Sequence, residues 1–311
     1  MSWTPDQIPS LEGAWALVTG ASSGLGQQAA LQLARHGASV VLAGRDEPRL
    51  ARSVTGIRAV VPRADLRTLR LDLADLEQVR RAGDQALDSY ARLDLLFANA
   101  GVMATPKQTT SEGFELQIGT NHLGHFAFTG LVLPALLATP DGARVVTTSS
   151  FAHRTVPTID LRSLTPGGDP RPYRRWRAYG ESKLANLLFM LELQRRAAAG
   201  GLALTSVAAH PGYAETELQQ AGPAMGGATI ASRAMTVLNK VVAQSAARGA
   251  WPLLMAGTQR GLPGGTYIGP RGPFETRGAP RLVGMSSAAS DPDLARRLWL
   301  ASEEATDIRY P

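Results

Sequence analysis

The chain contains no cysteine. That excludes disulfides and thiolate metal sites, and it fits a reducing compartment. Long apolar runs are absent too: nothing reaches the ~20 residues that a membrane-spanning helix needs. The opening MSWTPDQIPSLEG carries Asp6 and Glu12 where a signal peptide would have an apolar segment. The expectation is a soluble, cytoplasmic protein without a transmembrane segment. No low-complexity tract, and no linker that would divide the chain, interrupts the sequence. Acidic residues are in deficit, with a net charge of +6 and a pI near 10.0, mostly from arginine. A nucleic-acid-binding surface would gather that charge in one place. Here it is spread, so no nucleic-acid partner is expected. One dense spot remains, Arg171, Arg174, Arg175 and Arg177. It is either a solvated loop or a patch that attracts an anionic substrate or a membrane surface.

What the sequence does have is alternation. Apolar runs at 15–20 (WALVTG), 39–44 (SVVLAG), 69–73 (LRLDL), 93–101 (LDLLFANAG), 143–150 (ARVVTTSS), 202–212 (LALTSVAAHPG) and 264–272 (GGTYIGPRG) are separated by longer helical patterns. Runs without polar alternation are buried on both faces, as in a parallel sheet. Repeated strand–helix alternation predicts an α/β fold: a single-domain Rossmann-type doubly wound parallel sheet of about seven strands with helices on both faces. With 311 residues, 44% of them hydrophobic, one domain over 1–311 has ample core. Within it, residues 151–176 read as a surface insertion, 213–248 as a substrate lid, and 273–311 as a C-terminal extension.

VTGASSGLG (18–26) joins the first strand to the first helix. Gly20, Gly24 and Gly26 let the backbone turn sharply and let a pyrophosphate approach without meeting a Cβ. Ser22 and Ser23 add hydroxyl donors, Leu25 lies in the same turn, and the helix N-terminus offers free N–H groups to phosphate. The second strand ends in Gly44, where an acid holding a ribose hydroxyl would stand in an NAD site, and Arg45 follows. An arginine there can grip a 2′-phosphate, which favours NADP(H). Asp46 is adjacent; it either pairs with Arg45 or, in a shifted register, serves NAD(H) instead.

Tyr179 and Lys183 are four apart in YGESK and share a helix face. A phenol of pKa near 10 is a poor base at neutral pH, and a nearby ammonium favours its ionised form. Reaching neutrality would take about 4 kcal/mol of differential interaction, more than one partly solvated ammonium supplies. The positive ring of an oxidised nicotinamide would help. Such a tyrosine suits proton exchange with an alcohol or carbonyl oxygen while a hydride moves. The plain alternative is a buried aromatic beside a snorkelling lysine.

Taken together, TGASSGLG, NAG (99–101), TNHLGHF (120–126), VVTTSSFAH (145–153), YGESK (179–183) and HPGYAET (210–216) resemble the short-chain dehydrogenase/reductase family over roughly residues 12–270. SSFAHR, SKLANLLF, HPG and the long insertion before Tyr179 are similar to the branch containing retinol dehydrogenases and protochlorophyllide reductases. The resemblance implies that Tyr179 is the general acid/base and that Lys183 lowers its pKa and holds the nicotinamide ribose. Ser150 would orient the substrate oxygen, with Ser149 its strand-end neighbour, and Asn121 would support a water relay behind the lysine. Asn99, Ala100 and Gly101 would close over the cofactor, Asp72 and Leu73 would meet the adenine, and Pro211, Gly212 and Thr216 the nicotinamide carboxamide. It also implies a homodimer or homotetramer built on helices 112–138 and 179–199; the substrate itself is expected to be a small-molecule alcohol or carbonyl compound of apolar character. The alternative function is a nucleotide-sensing Rossmann protein without turnover, which has no need of Asn121, Ser150, Tyr179 and Lys183 together. His122, His125, His153 and His210 lack ligand spacing, so no metal is expected. His153 is expected either to line the substrate cleft or to be a hydrogen-bonded loop residue.

Overall fold

The computed structural model describes residues 2–169, 171–213 and 244–310. The apolar runs become β1 (Trp15–Thr19), β2 (Ser39–Gly44), β3 (Leu66–Arg70), β4 (Leu95–Ala98), β5 (Ala143–Thr148), β6 (Leu204–Ala209) and β7 (Tyr267–Pro270). With β8 (Pro280–Leu282) they form one sheet in the order β3-β2-β1-β4-β5-β6-β7-β8. Every pairing is parallel except that of β7 with β8. β8 is an addition to the expected seven. It is three residues long, begins with proline and buries only Pro280, so it left no apolar run to read.

Alternate side chains of one strand serve opposite faces. Leu17 joins Val41, Leu96 and Val145 in a core with Phe126, Leu187 and Trp299. Ala16 and Val18 join Val40, Leu42 and Val146 in the other, with Leu33, Leu50 and Leu253. β1 lies between β2 and β4, so the chain's winding reverses there. In such sheets that reversal opens a crevice at the strands' carboxyl ends, where ligands bind.

The helices α1 (Gly24–Arg35), α2 (Glu47–Val60) and α3 (Leu76–Ser89) follow the first three strands. The third strand begins three residues before the run 69–73, because this edge strand buries only Leu66 and Leu69. Asp72 and Leu73 come after it. The helical pattern over 112–138 is broken into a short turn (Leu116–Ile118), a π-helical turn (Gly119–Leu123), α4 (Gly124–Leu131) and a last short helix (Leu133–Leu137). The helix carrying Tyr179 is α5 (Arg175–Ala199), which takes in the last two residues of the expected insertion. α6 (Trp251–Thr258) packs beneath β5, β6 and β7. Among the described residues no helix is long and apolar enough to cross a membrane.

Half of the arginine spot is not solvated loop. Arg171 bonds Asp169 at 2.9 Å and Glu181 at 3.0 Å and lies 3.4 Å from Asp160, pinning the insertion to α5. Tyr173 fastens it to the neighbouring loop, its hydroxyl donating to the Thr105 carbonyl at 2.9 Å. Arg174 and Arg175 are exposed.

The chain ends on α7 (Pro292–Thr306), which lies along α5. Trp299 is 1% exposed and stacks on Phe189 at 5.8 Å. It also meets Phe126 edge-on at 5.1 Å and Tyr310 at 4.5 Å. The Arg196 guanidinium covers its outer side at 4.4 Å. His122 donates from Nε2 to Ser302 Oγ at 2.8 Å, since that hydroxyl already donates to Leu298 O.

Candidate active site

The glycine turn is shaped by what closes over it. Gly20 has φ +68°, and a Cβ there would stand 2.9 Å from Ala100 Cα. A Cβ on Gly26 would collide with the Gly20 carbonyl oxygen and lie 2.7 Å from Asn99 Nδ2. Only glycine lets residues 99–101 settle on the turn. α2 and α3 are capped by Asp46 and Asp75, whose carboxylates accept from Arg49 N and Gln78 N. α1 has Ser23 at its N-cap with no side-chain bond. Its first amides are left for an anion, and the dipole favours one there. The pyrophosphate of a dinucleotide fits this cradle, with Ser22, Leu25 and Gly24 in the same turn.

Thr19, at the end of β1, organises the lid of the cradle. Its Oγ1 accepts from Asn99 N and Ala100 N, both at 2.9 Å, and Asn99 Nδ2 donates to its carbonyl at 2.9 Å. His125 sets the direction of the hydroxyl. Its Nδ1–H donates to Asn121 O at 3.0 Å, so Nε2 is bare and accepts from Thr19 Oγ1 at 2.9 Å. Burial lowers the His125 pKa to about 4, which keeps the ring neutral at physiological pH. Neither Thr19 nor His125 was legible as a site residue, because their partners lie far along the chain. Arg45 is exposed just past β2, while Asp46 caps α2 rather than pairing with it. Asp72 Oδ1 accepts from Ala74 N at 3.0 Å and Leu73 is buried against Gly124.

The four residues singled out for chemistry converge at the carboxyl ends of β4 and β5. Ser150 follows β5, its hydroxyl close enough to Tyr179 to lower the phenol's pKa, and it accepts from Ala152 N at 3.2 Å. Ser149 is turned the other way and donates to Lys183 O at 2.8 Å. Lys183 Nζ lies 5.7 Å from the centre of the Tyr179 ring and donates to Thr148 O at 3.2 Å. A Cβ on Gly101 would come 2.9 Å from Asn121 Oδ1 and 3.5 Å from Lys183 Nζ, so that glycine keeps the lysine's surroundings open. Asn121 is fully buried in the π turn, where Oδ1 accepts from Val102 N at 2.7 Å. Its Nδ2 donates to Val102 O and Ser182 Oγ, both at 2.9 Å.

Without a dinucleotide, burial raises the Tyr179 pKa to about 12, and the Ser150 hydroxyl offsets only part of that. Burial also lowers Lys183, to about 8. The phenol is 6% exposed, and desolvation of its ionised form outweighs an ammonium above its ring.

The far wall is the loop after β6. Gly212 has φ +67°, which favours glycine, and Pro211 precedes it. Thr216 and most of the expected lid, residues 214–243, lie outside the described residues. His153 does not line the cleft: it is buried, donates to Ser150 O at 2.7 Å and accepts from Ser286 N at 3.3 Å. The exposed Trp176 flanks the phenol instead, at 6.2 Å between ring centres.

A glycine cradle at the reversal of a doubly wound sheet, opening onto a serine, a tyrosine and a lysine, defines the class of nicotinamide-dinucleotide oxidoreductases. Comparisons with known proteins agree. The short chain dehydrogenase description matches residues 14–160. Polyprenol dehydrogenase of Mus musculus is 40% identical over 301 residues, 95% of this chain and 84% of that one. Retinol dehydrogenase 13 of Homo sapiens is 34% identical over 305 residues, 97% and 87% of the two chains. A crystal structure of a Mycobacterium paratuberculosis protein superimposes with TM-score 0.81 at 40% identity, covering 100% of both chains. A short chain dehydrogenase from Escherichia coli CFT073, complexed with NADPH, gives TM-score 0.55 at 27% identity over 71% of this chain and 84% of that one. The chain belongs to the short-chain dehydrogenase family, in the branch of the retinol dehydrogenases, and is an NAD(P)-dependent oxidoreductase.

Proposed function

We propose that the protein is an NADP(H)-dependent oxidoreductase acting on an apolar ketone, aldehyde or alcohol, with Tyr179 as general acid/base. The observation that carries this is the convergence of the Ser150 hydroxyl, the Tyr179 phenol and the Lys183 ammonium beside the glycine cradle. The dinucleotide supplies or accepts the hydride. In reduction, Ser150 and the neutral phenol donate hydrogen bonds to one carbonyl oxygen, polarising it, and the phenol gives up its proton as the oxygen becomes negative. Among the described residues Lys183 has one protein acceptor, the Thr148 carbonyl, and its other N–H groups can serve the ribose and stabilise the phenolate left behind. The exposed Trp176 beside the phenol favours an apolar substrate, as do relatives named for polyprenol and retinol. A screen of carbonyls and alcohols, read by NADPH and NADH absorbance with Tyr179→Phe as the blank, tests the reading. No turnover of any apolar carbonyl or alcohol by a folded, dinucleotide-binding enzyme would overturn it.

The preference for NADP(H) rests on Arg45, with support from the NADPH-bound relative. Arg45→Ala should weaken NADPH binding about tenfold or more, the value of a charge-assisted hydrogen bond to phosphate, and leave NADH unchanged. Fluorescence titration of both cofactors reads this directly. Equal losses would remove the arginine from the 2′-phosphate.

A further inference from the structure

We propose that Glu275, in the C-terminal extension, is a positioning residue that ties together the two loops forming the reacting half of the site. The proposal rests on the reading of that site given above.

One loop follows β5 and carries Ser150; the other follows β6 and carries Pro211 and Gly212. Each presents one cation-capable side chain to the same carboxylate. From the first, Arg154 reaches Glu275 Oε1 at 3.5 Å. From the second, His210 lies 2.9 Å from Glu275 Oε2 through Nε2. The tautomer is fixed, because Gly212 N donates to His210 Nδ1 at 3.3 Å and leaves Nε2 to carry the proton. His210 is fully buried and Glu275 largely so, which makes the bond stronger than an exposed pair. The His210 bond, with Arg154 adding to it, holds the carboxyl below its ordinary pKa and so ionised at neutral pH.

The backbone around Glu275 is shaped to hold it there. Residues 271–279 form a strap, closed by Arg271 N donating to Ala279 O and Gly272 N to Arg277 O, both at 2.9 Å. The strap lies directly on the β6 loop: Tyr213 N donates to Thr276 O at 2.7 Å. A Cβ on Gly212 would strike Thr276 O and stand 2.9 Å from Glu275 O. Phe274 and Glu275 are consecutive non-glycine residues at φ +50° and +55°. L side chains adopt that region at a cost, and such strain persists where surrounding contacts over-determine it, most often at functional sites. Here the strain aims one carboxylate at both loops.

A purely structural carboxylate would affect all ligands alike, whereas a positioning one acts on the reacting half alone. In the full chain, Glu275→Ala should weaken NADPH and NADH binding about tenfold, leave ADP binding to the cradle unchanged and lower kcat/KM further. Glu275→Gln, which still accepts from His210 but loses the charge facing Arg154, should fall between. If Glu275→Ala does not fold, Arg154→Ala and Glu275→Gln carry the same comparison. Losses equal for ADP and the dinucleotides, or no loss in a folded variant, would overturn the proposal. Amide hydrogen exchange gives a readout independent of any ligand. Residues 150–155 and 210–213 should both exchange faster in the variant, and acceleration of one loop alone would refute the bridge. A wild type that bound no dinucleotide would sink the functional reading, while the exchange result would still decide the strap.

Discussion

Tyr179→Phe is expected to lose nearly all turnover, about 10³-fold or more, while dinucleotide affinity stays within about twofold of wild type. The substitution removes one hydroxyl and leaves the ring that lies beside Trp176 and beneath Lys183. Ser150 then faces the substrate oxygen as the sole hydroxyl donor of the pair, and no group in the described site can replace the lost proton. Retention of more than about a tenth of the wild-type rate, with a matched substrate, would show that another group carries the proton. A directional pH dependence is expected with Tyr179 as the proposed acid/base. Without dinucleotide its pKa is raised to about 12 by burial, so the protonated form needed for reduction is fully present through neutrality. Alcohol oxidation needs the phenolate, so its rate should rise with pH through and above neutrality. A bound oxidised nicotinamide brings the onset lower by adding positive charge. An oxidation rate that fell over that range would contradict the assignment.

Trp299→Ala is expected to destabilise the fold by about 3–5 kcal/mol, the cost of emptying a well-packed aromatic site. Trp299 lies at the meeting point of three elements: Phe126 of α4, Phe189 of α5 and Tyr310 beyond α7 all contact it. Removing the indole leaves a cavity that the rigid helices cannot close, and exposes the underside of Arg196. Denaturant unfolding reads this as a lower midpoint at unchanged slope. A loss below about 1 kcal/mol would mean that α7 adds little to the core. Because the Tyr179 ring is met by Trp176 and Lys183 rather than by this cluster, what remains folded should keep its turnover per molecule.

The sheet was readable because its strands are buried on both faces, and uninterrupted runs such as SVVLAG have few other uses. β3 was misplaced by three residues because it is an edge strand, three of whose five side chains face solvent. The cradle and the Ser150–Tyr179–Lys183 group were readable because each is a short local motif, brought together by the topology alone. The π turn at Asn121 was not, since GTNHL (119–123) within a helical rhythm looks the same with one extra residue per turn. Nor were His125 under Thr19 and Glu275 between Arg154 and His210. These join residues 65 to 121 positions apart, and no local pattern marks either end.

The C-terminal extension also bears on how copies of the chain can meet. The family resemblance implies self-association along the helices around 112–138 and 179–199, yet α7 already lies against α5, and its indole fills the seam with α4. The tail thus fills the seam over α4 and α5 itself, and a copy of the chain docking on that flank would meet the outer, exposed side of α7 as well.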